Sequence, residues 1–126
     1  MEKIQIGTYG SLKKGFHNHP RLGNKEYIGE DTIKGVMYLC YNYPNLYESS
    51  EDIKGLEKEL EREHEIEIYK IDKEDFEMIN RMEIYSGYIQ KTISTKHGNT
   101  IIWINPKEFF KPGLKHLEAY TKETIK

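Results

Sequence analysis

Two stretches of this sequence carry residue types whose spacing suits chemistry. The first is a carboxylate on the apolar side of a short helix. Asp72-Lys-Glu-Asp-Phe76 opens that helix, with Asp72 suited to cap it and Glu74 and Asp75 suited to its positive first turn. Phe76, Ile79 and Met82 form an apolar stripe. Position 83, i+4 from Ile79 and i+7 from Phe76, should continue it. The residue there is Glu83. A carboxylate beside an apolar face is costly unless paired or protonated, and its pKa should rise, which is how a general base for neutral pH is made. If the helix instead stops at Arg81 or Met82, Glu83 points to water, and periodicity alone leaves both open.

The second stretch is Ile4-Gln-Ile-Gly-Thr-Tyr-Gly-Ser-Leu-Lys-Lys-Gly15. Ile4, Ile6 and Thr8 alternate as in a strand, and Gly7, Gly10 and Gly15 then interrupt it. A turn at Tyr9-Gly10-Ser11-Leu12 would leave consecutive N–H groups without strand partners, available to an anion or a carbonyl oxygen. Two phosphate-loop readings fail. Gly10 and Gly15 have Walker spacing, but Phe16-His17 stand where Lys and Ser/Thr are needed, and Gly7-Thr-Tyr-Gly10 is only part of a dinucleotide fingerprint. An ordinary strand–turn remains an equal reading of the glycines.

Lys13, Lys14, His17, His19 and Arg21 make a local basic patch, either a solvated loop or an attractor for a carboxylate-bearing substrate. His17-x-His19 lacks a third metal ligand at a recognisable spacing. Cys40 is the only cysteine, so no intrachain disulfide forms. It reads as a packed small side chain in a reducing, cytoplasmic setting. The net charge of −2 exerts no global pull on nucleic acid or membranes. No apolar run approaches the roughly 20 residues of a spanning helix, and Met1-Glu-Lys is no signal peptide.

The 126 residues, 37% hydrophobic and 32% charged, suit one compact domain over 1–126. Tyr27–Ile33 and Lys34–Tyr41 read as short strands, Asn42–Asn45 as a turn, and Leu46-Tyr47 as the start of another extended piece. Residues 51–65 are nearly all charge and fit a surface helix, with Leu56 and Leu60 at i,i+4, or a solvated hairpin. Ile66–Ile71 alternates, with Ile66 and Ile68 opposite Glu67, Tyr69 and Ile71. Ile89–Thr95 and Thr100–Ile104 read as strands joined by the Lys96–Asn99 turn, with Trp103 as core or pocket wall. In the tail, Leu114, Leu117 and Tyr120 have helical spacing.

Tyr9-Gly10-Ser11-Leu12-Lys13-Lys14-Gly15, followed by Asn18-His19, closely resembles the opening motif of gamma-glutamylcyclotransferase-like proteins, Tyr-Gly-[Ser/Thr]-Leu-[Lys/Arg]-x-Gly-x-x-Asn. The small gamma-glutamylamine cyclotransferase branch is the nearest form. Tyr43-Pro44 and Glu67-Ile68-Tyr69-Lys70-Ile71 are similar to later family segments, with Ile66 at the usual leading Gly. Met82-Glu83 through Thr92 resembles the segment whose Glu is the family's catalytic acid/base. Ser86 stands at its usual Pro, Ile89 stands at its usual Tyr, and Tyr88 comes one position early. These departures bear on substrate choice rather than on the reaction.

The resemblance spans roughly residues 4–104 and implies an α+β fold: a small mixed β-barrel of about six strands flanked by short helices. It implies a pocket where Glu83 acts as catalytic acid/base and Tyr9, Gly10, Ser11, Leu12 and Tyr88 contact substrate. The implied reaction cyclises a gamma-glutamyl amine or peptide to 5-oxoproline, without metal or cofactor, by a monomer or homodimer. Two rivals stand beside it. One is a binding module that holds a small ligand in the same pocket without turnover. The other is a nucleic-acid binder using the 13–21 loop, disfavoured by the acidic balance.

Overall fold

The computed structural model describes residues 2–40, 43–48, 60–105 and 115–117. Strands β1 (Lys3–Thr8), β2 (Glu26–Cys40), β3 (Tyr43–Glu48), β4 (Arg62–Asp72), β5 (Ile89–Thr95), β6 (Gly98–Ile104) and β7 (Lys115–Leu117) join one mixed sheet, and a single described α-helix, α1 (Lys73–Tyr85), follows β4. The order is β3-β2-β4-β1-β6-β5, with β7 also on β2. Every described pairing is antiparallel except β1 with β6, which is parallel at Ile6 and Ile101.

The expected barrel is not what the strands form. Their path is open, with β3 and β5 at its ends. It curls far enough that Asn105, just past β6, donates its N–H to the Leu46 carbonyl at 2.9 Å, and its side-chain oxygen accepts the Leu46 N–H at 2.8 Å. Two bonds fasten one residue of β3. No described ladder closes the ring. Among the described residues, the flanking helices are α1 and a 3-10 turn at His19–Leu22.

The strand expectations fall close to the observed elements, with four differences. Residues 43–45, read as part of a turn, already pair within β3, and Lys115–Leu117, inside the helical spacing of the tail, form a strand on β2. Tyr27–Ile33 and Lys34–Tyr41 are one strand through Cys40, whose pairing with β4 shifts between Tyr27 and Gly29. Residues 62–65 are extended rather than helical, because β4 begins at Arg62. The helix weighed for 51–59 and the pattern in the tail beyond 117 lie outside the described residues, as do the side chains of Cys40 and Leu117.

β4 is buried on both faces. Ile66 and Ile68 pack with Tyr9, Ile33, Met37, Leu46, Ile102 and Ile104. Tyr69 and Ile71 pack with Ile6, Leu12, Leu22, Ile79 and Trp103, a cluster that α1 covers with Phe76 and Met82. The alternation in 66–71 therefore faces two apolar layers, each stabilised by roughly 25 cal/mol per Å² of apolar surface removed from water. Gly7 in β1 is closely packed: a Cβ would sit 3.0 Å from Ile102 Cγ2 and 3.1 Å from Ile66 Cδ1, so those side chains would have to give way. Asp72 adopts extended N-cap geometry but makes no side-chain cap bond. One of its oxygens lies 2.8 Å from Lys3 Nζ, in an ion pair without hydrogen-bond geometry.

Candidate active site

The helix runs through Tyr85, past the earlier stop that would have left Glu83 in water. Its stripe falls as periodicity requires: Ile79 is buried, the Phe76 ring lies beside that of Trp103, and Met82 packs against the same cluster. Glu83 follows on the same side and is half-buried. Burial raises its pKa from 4.5 to about 7, with no charge or hydrogen bond contributing. A carboxyl in that state is shared between acid and base at neutral pH.

Tyr9 leaves β1 at the start of the turn and is buried in the core, where its hydroxyl donates to the Trp103 carbonyl at 2.7 Å. Its pKa is raised well above the ordinary tyrosine range, first by burial and then by the nearby Tyr88, Glu83 and Tyr47. Tyr9 is thus an electrostatic neighbour of Tyr88 and Glu83, although it belongs to the first strand's turn and they to the end of α1 and the residues just after it. Trp103 is fixed from both sides, since its indole N–H donates to Asn80 Oδ1 of α1 at 2.8 Å.

The turn is held from within. Lys13 N–H donates to the Gly10 carbonyl at 3.0 Å, and Asn18 N–H to the Ser11 carbonyl at 3.1 Å. Asn18 Nδ2 donates to Ser11 Oγ at 2.8 Å. Leu12 puts its side chain in the core, while its carbonyl lies 2.8 Å from His19 Nδ1. The Leu12 side chain is therefore structural, while the Ser11 hydroxyl accepts from Asn18 and keeps its own O–H as a donor. Among the described residues, no acceptor takes the N–H groups of Gly10, Ser11 or Leu12.

Gly10 is a point of close approach. A Cβ there would sit 3.0 Å from Pro44 Cγ. Pro44 is the second residue of β3, and its carbonyl accepts the Tyr88 hydroxyl at 2.7 Å. Tyr88 in turn donates its N–H to the Glu83 carbonyl at 3.0 Å, so it lies folded over the last turn of α1. Ile89, at the family's usual tyrosine position, is 45% exposed. Ser86 shows why the register moved. Its N–H lies 3.1 Å from both the Met82 and Glu83 carbonyls, bonding that a proline there would forbid, and Gly87 then turns the chain at φ +98°.

The basic loop is only partly free for a ligand. His19 faces inward, with its ring 5.6 Å from that of Tyr69; Arg21 Nε bonds Asn18 Oδ1 at 2.9 Å; Lys13 lies over Phe16. His17 is exposed. Among the described residues, no group of three or more His, Cys, Asp or Glu side chains is placed to hold a metal ion. No described helix is long and apolar enough to cross a membrane. Pro44 walls the site from within β3, a role that the turn-like Tyr43-Pro44 pair does not show in sequence.

The fold and these two motifs define a class. The chain belongs to the gamma-glutamyl cyclotransferase, AIG2-like family, whose model matches residues 6–121. It is 32% identical over 102 residues to a Pyrococcus horikoshii protein provisionally named as a gamma-glutamylcyclotransferase, covering 81% of this chain and 78% of that one. The crystal structure of the same Pyrococcus protein matches with a TM-score of 0.72, over 97% of this chain and 92% of the other. An AIG2-like protein from Mus musculus, 15% identical, shares the fold with a TM-score of 0.71, over 98% and 91% of the two chains.

Proposed function

We propose that this protein is a cyclotransferase that converts a gamma-glutamyl amine or gamma-glutamyl peptide to 5-oxoproline and the free amine. The carrying observation is Glu83, half-buried at the end of α1 with its pKa near 7, as an electrostatic neighbour of the tyrosine that begins the turn. Gamma-glutamyl substrates are inferred from the family, and the site chemistry accommodates them. The substrate's α-amine attacks its own side-chain carbonyl carbon, forming the lactam C–N bond, and the bond to the leaving nitrogen breaks. Holding the substrate folded makes the attack intramolecular, which supplies much of the rate.

Three tasks remain for the protein. The Glu83 carboxylate takes the proton that frees the α-amine. The N–H groups of Gly10, Ser11 and Leu12 face the oxyanion as the carbonyl becomes tetrahedral. Protonated Glu83 then gives that proton to the departing nitrogen as its bond to carbon breaks. The second proton, shed by the attacking nitrogen as it becomes the lactam N–H, passes to the freed amine, so the two protons lost by the α-ammonium end on the leaving ammonium.

The test is 5-oxoproline release from a panel of gamma-glutamyl amines and peptides, glutathione included, by wild type and Glu83→Gln. Binding of 5-oxoproline to both proteins is measured alongside. Glutamine keeps the shape and hydrogen bonding but cannot shuttle a proton. We expect retained binding and a turnover loss of roughly a hundredfold or more. A wild type that binds 5-oxoproline but turns over no gamma-glutamyl compound is a binding module. An active Glu83→Gln would place the base elsewhere.

A further inference from the structure

We propose that Tyr88 is a positioning residue, a tie that holds the last turn of α1 against the amide turn and so sets the distance between base and cradle. The proposal rests on the cyclotransferase reading for its kinetic consequence, but its structural content stands without it. Three contacts in series make the tie. Tyr88 N–H donates to the Glu83 carbonyl at 3.0 Å, so the residue is fixed to the backbone of the base itself. Its hydroxyl donates to the Pro44 carbonyl at 2.7 Å, with Asn45 Oδ1 a more distant acceptor at 3.4 Å. Pro44 lies against Gly10, so close that a Cβ there would come within 3.0 Å of its Cγ.

One side chain therefore connects the helix end to the wall behind the turn. The ring is held along its length, since Tyr88 packs among the side chains of the cluster beneath α1. The register of this chain matters to the tie. With Ser86 able to donate into the helix end and Gly87 turning at positive φ, position 88 points inward and position 89 points out. A tyrosine one residue later would face solvent.

The tie also bears on how far water reaches the half-buried Glu83 carboxyl. Burial alone accounts for its raised pKa. Removing the hydroxyl frees Pro44 and the turn to move away and admits water to the carboxyl. Misplacement of about 1 Å between reacting groups costs up to a hundredfold in rate.

The experiment compares wild type, Tyr88→Phe, Ile89→Tyr and the double variant Tyr88→Phe/Ile89→Tyr. Melting temperature shows that each is folded. Titration of the Glu83 carboxyl by carbon-13 NMR, kcat and KM for 5-oxoproline release, and 5-oxoproline affinity are then measured. In Tyr88→Phe the Glu83 midpoint should fall from about 7 toward 4.5, and kcat should drop about tenfold to a hundredfold with little change in KM. Ile89→Tyr should match wild type, and in the double variant it should rescue neither readout. An unchanged Glu83 titration in folded Tyr88→Phe overturns the proposal, whatever the kinetics. So does rescue by Ile89→Tyr, or a loss of 5-oxoproline affinity with the titration unmoved, which would make the hydroxyl a substrate contact. If wild type releases no 5-oxoproline, the activity reading fails, and the Glu83 titration still decides the tie.

Discussion

Glu83 owes its raised pKa to burial alone, and that fixes the direction of two pH effects. A general base must be deprotonated, so kcat/KM should rise with pH through a midpoint near 7 and level off above it. A pH–rate profile checks this, and an acid limb centred near 4.5 would show Glu83 to be solvated in the free protein. Stability runs the other way. Because the folded pKa lies above the ordinary value, folding favours the protonated form. The contribution is complete below pH 4.5 and is lost as pH rises through 7. Base function and stability thus pull apart at this residue. From sequence, Glu83 was visible as a break in an apolar stripe; whether it faced inward depended on where the helix ended. The Ser86 N–H settled that, and no periodicity encodes it.

At the scale of elements, the turn after β1 depends on the space behind Gly10. Gly10→Val puts branched carbons where Pro44 Cγ already lies 3.0 Å from an ideal Cβ, so the turn and the start of β3 must separate. Gly10 is half-buried at the site rather than in the main core, so the fold should survive. The displaced N–H donors should cost a few kcal/mol of transition-state stabilisation, roughly a hundredfold in turnover. Turnover by a folded Gly10→Val equal to wild type would remove the turn from the reaction. The strands themselves were readable because alternation and β-branched residues mark them, as in Ile89–Thr95 and Ile66–Ile71. The role of Pro44 was not readable, because it arises from a contact between distant segments. Curl without closure was hidden for the same reason: it depends on Asn105 meeting Leu46, 59 residues away.

Across the whole molecule, a second buried group opposes Glu83 in its response to pH. His64 is 2% exposed on β4, and among the described residues neither ring nitrogen has a hydrogen-bond partner. Burial is the main cause that lowers its pKa from 6.5 to about 4, and the nearby His116, Arg62 and Lys13 side chains add to this. The nearby Gly35 backbone favours the charged form without reaching hydrogen-bond geometry. A histidine whose folded pKa is depressed stabilises the fold fully above its unfolded value. That contribution is lost as pH falls from 6.5 through 4. Between about 4.5 and 6.5 the folded state therefore holds an extra proton at Glu83 and lacks one at His64, and the two slopes cancel. Each effect has an upper bound of about 3 kcal/mol, at 1.36 kcal/mol per unit of pKa difference. Removing one group should expose the other. His64→Leu replaces an unpartnered polar ring with an apolar side chain of similar size, so stability at pH 7 should hold or rise. Its urea unfolding free energy should then fall steadily from pH 4.5 to 7 under Glu83 alone. Glu83→Gln should show the reverse, rising from pH 4 to 6.5 under His64 alone. The double variant should lose both slopes. If the His64→Leu and wild-type curves differ only by a constant across pH 4 to 7, His64 is protonated in the folded protein as readily as in the unfolded chain, and its burial does not govern the acid response.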